Sequence, residues 1–161
     1  MAAGSGDPAE VAAGLRAAFA ADLGSPPRMT LRAGDAVDEY RAPPPLDPAL
    51  DEPSDAYLAR HPCGVGYLDP ASWRHYLPHL LGYALRHLDA ASPVTEAVLG
   101  SLRPPDRDPP RLASLDAEQE AAVTRCLEVL AFADGAACAD LACQVLEEYW
   151  LPGARYRSPS R

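Results

Sequence analysis

At three points in this chain a helix-capping side chain directly before a proline is followed by a helical pattern: Asp7-Pro8, Asp69-Pro70 and Ser92-Pro93. Proline loses nothing at the first helical position, because its missing N–H would find no partner there and its fixed φ already suits a helix. Each pair therefore marks a helix start. Asp7 with Glu10, and Asp116 with Gln119, have the spacing of a capping box, and Thr30 and Ser54 offer two further N-caps. Behind these starts the apolar residues recur at helical intervals. Val11, Leu15 and Phe19 form one stripe, Ala33, Val37 and Tyr40 a second, and Val123, Leu127 and Leu130 a third. Gly24, the prolines 43–45, Gly135 and Pro152 supply stops. A last helix runs through Leu141, Val145 and Tyr149 to Trp150.

Only "HPCGVGYL", residues 61–68, could be extended, and no second strand is there to pair with it. The expected fold class is all-α: a compact single-domain bundle of about five or six helices with Pro-rich connections. Its core spans residues 7–151, and residues 152–161 form a mobile tail. "APPPLDPALDEPSD" and "RPPDRDPPR" are expected to lie over the surface as irregular connections. There is no internal repeat, which excludes a solenoid.

Charge narrows the partners. Fourteen basic and 23 acidic side chains give a formal charge of -9, so the average field repels phosphate backbones and anionic headgroups. Nucleic acid and membrane are not expected as partners. Lysine is absent, which removes side-chain Schiff-base chemistry and the P-loop lysine. The N-terminus lacks the basic and apolar regions of a signal peptide, and no stretch is apolar enough to span a bilayer, so a soluble, cytoplasmic protein is expected. Cys63, Cys126, Cys138 and Cys143 then fit as free thiols.

The histidines need more care. "YLDPASWRHYLPHLLGYALRHLD", Tyr67 to Asp89, holds three of the four, with Pro78 expected to kink the helix or make it restart. His75 and His79 stand four apart, as in helical zinc sites, with His87, His61 or Cys63 as a conceivable third ligand. The glutamate of the H-E-x-x-H motif is missing, and the histidines are read first as amphipathic residues at the edge of the core. Cys63 lies two residues from His61 in a Pro/Gly loop, which leaves a nucleophile–base geometry uncontrolled. Asp35, Asp38 and Glu39 on one side, and Glu147 and Glu148 on the other, read as solvated acidic faces. Trp73, Tyr76, Tyr149 and Trp150 are the candidate anchors for a partner or ligand, and Trp150, near a helix end, is the one most expected outside the core. No catalytic residue is assigned, no nucleotide or hydrolase motif is present, and no cofactor is implied.

Taken together, "MTLRAGDAVDEY", "YLDPASWRHYLPHLLGYAL" and "LDAEQEAAVTRCLEVL" followed by "VLEEYW" resemble an uncharacterised bacterial domain-of-unknown-function family over about Met29 to Trp150. The Pro-rich segment from Ala42 to Pro53 departs from the family's pattern. The resemblance implies a compact bacterial domain, with "YLP" and "YW" as framework positions, and implies no activity. The expected function is that of a protein-interaction, accessory or regulatory factor without catalysis; the alternative is a metal-dependent enzyme using His75 and His79. Oligomeric state is left open by the sequence.

Overall fold

The computed structural model of the chain describes residues 6–157. Among them are eight α-helices and no strand: α1 Pro8–Ala18, α2 Ala20–Leu23, α3 Leu31–Asp38, α4 Asp55–Arg60, α5 Pro70–Arg86, α6 Pro93–Ser101, α7 Ala117–Phe132 and α8 Ala139–Val145. Two 3₁₀ segments, Pro62–Tyr67 and Leu112–Ser114, precede α5 and α7, and α8 runs on into a π-turn, Leu146–Trp150. The fold class is all-α as read from the sequence, with more helices than expected because several are short.

All but one of the capping side chains bond where they were placed, and only one of the two capping-box spacings closes. Asp7 accepts from the Ala9 N–H, Thr30 from Ala33, Ser54 from Tyr57 and Ser92 from Val94, while Asp116 and Gln119 close both halves of a capping box. Asp69 makes no such bond, so Pro70 alone sets the start of α5. That helix is the hub of the bundle, packed against α1, α2, α4, α6 and α7. Its inner face, Trp73, Leu77, Leu80, Leu81 and Ala84, is fully buried. This explains why α5 carries through Pro78 instead of restarting there. The proline removes one hydrogen bond, but the buried residues on both sides of it hold the two halves in one core.

Residues 61–68 are not extended. Pro62–Tyr67 form a 3₁₀ helix that lies backbone to backbone against α3. A Cβ on Gly64 would stand 2.1 Å from the Leu31 carbonyl oxygen, and one on Gly34 would stand 2.5 Å from that of Gly64. Only glycine permits so close an approach. From the other side the Arg111 guanidinium donates to the carbonyls of Val65 and Leu68. The second Pro-rich connection is thus not simply superficial. Arg111 is buried, its pKa drawn down to about 10 by desolvation and by Arg107, and the Asp106 carboxylate gathers the N–H groups of Arg107, Arg111, Leu112 and Ala113.

At the C-terminal end the Trp150 indole is buried and donates to the Leu102 carbonyl at 2.9 Å. The expected mobile tail is described as far as residue 157. Its Arg155 and Tyr156 N–H groups bond back to Glu147 and Glu148, and residues 158–161 lie outside the described residues.

Candidate functional site

The first Pro-rich connection, residues 41–54, has almost no regular structure, and one carboxylate fixes it. Asp51 receives Arg32 Nε and Nη2 at 3.0 and 2.8 Å, the Tyr57 hydroxyl at 2.9 Å and the Asp47 N–H at 2.9 Å. The same Arg32 Nη2 reaches the Pro45 carbonyl, and the Arg32 N–H donates to the Tyr57 hydroxyl. Burial pushes the Asp51 pKa up, yet these hydrogen bonds outweigh it and hold the group below the ordinary carboxylate range. Tyr57 is shifted the other way, upward, by burial. The connection is therefore strapped onto α3 and α4 by a satisfied ionic network.

Between strap and helices opens a cleft of about 530 Å³. Tyr57 and His61 line its floor, and Arg41, Leu50, Glu52 and Arg60 line its sides. His61 is 8% exposed, and its ring sits edge-on to Tyr57 with centroids 4.9 Å apart. Its Nδ1 lies 2.9 Å from Asp35 Oδ2, so the acidic face of α3 is not simply solvated. Asp38 likewise accepts the Tyr67 hydroxyl at 2.8 Å, and Glu39 pairs with Arg41. Among the described residues Arg60, exposed at the end of α4, has no ion-pair partner, and His61 Nε2 has no hydrogen-bond partner.

The residues singled out in the sequence lie elsewhere. Trp73 and Tyr76 are 0% and 1% exposed. Trp150, expected outside the core, is 3% exposed because the π-turn swings its indole back under the end of α6. Those three present no surface to a partner. Tyr149 is half-buried and carries the Arg157 guanidinium over its ring, 4.9 Å from the centroid. His75 and His79 do share a helix face, with ring centroids 5.8 Å apart. His75 Nδ1 is engaged by the Asp22 carbonyl at 2.9 Å, and burial with the neighbouring His75 charge brings the His79 pKa down to about 4. Among the described residues no three His, Cys, Asp or Glu side chains converge as metal ligands. His87 instead pairs with Asp55. Cys63 is exposed, Cys126 is buried in the core, and all four cysteines are free.

A family model described as a family of unknown function, DUF6714, matches residues 7–154. The chain belongs to that family. No curated protein and no solved structure matches it. In this DUF6714 chain the matched span takes in every element that builds the cleft. The cleft residues Arg32, Asp51, Tyr57 and Arg60 carried no sequence signal, since Arg32 and Asp51 meet across 19 positions with no periodic pattern between them. No helix among the described residues is long and apolar enough to cross a membrane. Chemically the cleft offers fixed hydrogen-bonding groups on its floor, a free cation on its rim and adjacent apolar surface.

Proposed function

We propose that this DUF6714 chain is a non-catalytic protein-recognition factor that takes a segment of its partner into the cleft between α3, α4 and the strap. One observation carries the reading: the cleft is held open by buried ties while its rim stays uncommitted. Arg60 is unpaired among the described residues, Leu50 is 57% exposed, and Tyr40, beside Arg41, is fully exposed with a left-handed backbone at φ 59°. Large apolar and aromatic groups beside an unpaired arginine are the composition of interface anchors. A preformed cleft also spares the complex the cost of ordering its own walls. Soluble, cytoplasmic action of a bacterial accessory factor fits the acidic composition.

The test is site-specific photo-crosslinking in the native host. A photoreactive residue at Leu50 is expected to yield a discrete adduct with one protein, weakened by Arg60→Glu. The same probe at Phe132, which is 62% exposed and outside the cleft, is expected to yield none. Identical adducts from both positions, or none from Leu50, would sink the reading.

A further inference from the structure

We propose that Arg60 and a protonated His61 together bind a carboxylate of the partner, and that this binding takes up a proton. The inference rests on the cleft being the recognition site. It follows from which donors are already committed. Arg32 is spent on Asp51 and Pro45, the Tyr57 hydroxyl is spent on Asp51, and Arg41 is paired with Glu39. Among the basic side chains of the cleft, Arg60 and the Nε2 side of His61 remain for a ligand.

The ligand's charge follows from the surroundings. Asp35 from α3 and Tyr57 from α4 lie against the His61 ring, and Arg32, Arg60, Arg41 and Glu52 line the same cleft. A phosphate dianion would meet Asp35 and Glu52 with only one unpaired guanidinium to offset it, whereas a carboxylate monoanion carries no more charge than that guanidinium balances. The chain's net charge of -9 adds to the bias against polyanions.

Proton uptake follows from the tautomer. With Asp35 accepting from Nδ1–H, a neutral His61 presents a lone pair at Nε2, which repels a carboxylate. Both nitrogens must carry protons before Nε2 can donate. The carboxylate therefore selects the imidazolium, so binding takes up a proton and weakens as the solution becomes more basic.

The experiment follows each histidine by NMR pH titration in sodium acetate and in sodium chloride at matched ionic strength. Acetate is expected to displace the His61 midpoint upward, by about one pH unit at saturation for a tenfold preference for the imidazolium. The displacement is expected to vanish in Arg60→Gln, which is exposed and leaves the fold intact, and to be absent at His75 and His87. Equal His61 midpoints in the two salts, or equal displacement at all histidines, would overturn the proposal. A second arm separates the two sources of a protein carboxylate. An N-acetylated dipeptide with a free C-terminus is compared with its amide bearing a glutamate, and inertness of both would also overturn it. A Leu50 crosslink that survives without any midpoint displacement would remove the carboxylate clamp and leave the recognition reading standing.

Discussion

Trp73 and Trp150 each bury an indole and donate its N–H to the end of α6, one to Ser101 Oγ at 3.0 Å and the other to the Leu102 carbonyl. Removing the fully buried Trp73 leaves a cavity and takes away the donor to Ser101 Oγ, so Trp73→Ala is expected to cost about 3 to 5 kcal/mol, read by denaturant unfolding. His79 controls a different variable. Burial first, then the charges of His75, Arg16 and Arg86, bring it from 6.5 to about 4. Unfolded, this imidazole takes up its proton near 6.5, while folded it resists until about 4. Between those values the unfolded state binds more protons, so stability is full above the window and falls as pH drops through it. His79→Leu is expected to flatten that part of the stability–pH curve, by on the order of 2 kcal/mol allowing for partial exposure. Thermal midpoints of both proteins at either end of the window would show it.

At the scale of elements, Gly34 and Gly64 let α3 and the 3₁₀ helix touch through their backbones. Gly64→Ala drives a methyl group into the Leu31 carbonyl and is expected to destabilise by about 3 kcal/mol or more. Gly14→Ala, inside α1 with open space around it, is expected to stabilise by about 0.5 to 1 kcal/mol. Opposite signs in one denaturation series check both. The seam also shows what the sequence could and could not convey. Helix starts are local events, settled within three or four residues, so Asp7, Thr30, Ser54, Ser92 and Asp116 could be read directly. Gly64, by contrast, looked like a loop glycine, because its reason lies at Leu31, far off in the chain. Asp35, His61, Arg32 and Asp51 were hidden for the same cause. Each is an ordinary polar residue whose partner is 19 or 26 positions away. The burial of Trp73, Tyr76 and Trp150 was not legible either, because an apolar side chain near a helix end does not reveal whether the next turn will cover it.

For the whole molecule, Asp51 decides whether the strap belongs to the fold. Deleting its carboxylate leaves Arg32 without its counterion and the Tyr57 O–H without its acceptor, so Asp51→Ala is expected to cost about 3 kcal/mol or more. Hydrogen exchange is expected to reveal the loss first at the Asp47 amide, whose acceptor is gone, while α7 amides keep their protection. Uniform loss across the chain would instead show that strap and bundle unfold together. The Gly34–Gly64 contact has one more consequence. Because no side chain separates α3 from the 3₁₀ helix, the frame beside the cleft is a close backbone joint, whereas Leu50, Glu52 and Arg60 on the cleft's sides are exposed to solvent. Those exposed positions can be exchanged at little folding cost, so, if the proposed recognition at the cleft holds, the chain is a retargetable scaffold, in which the recognised motif changes while the frame is inherited unaltered.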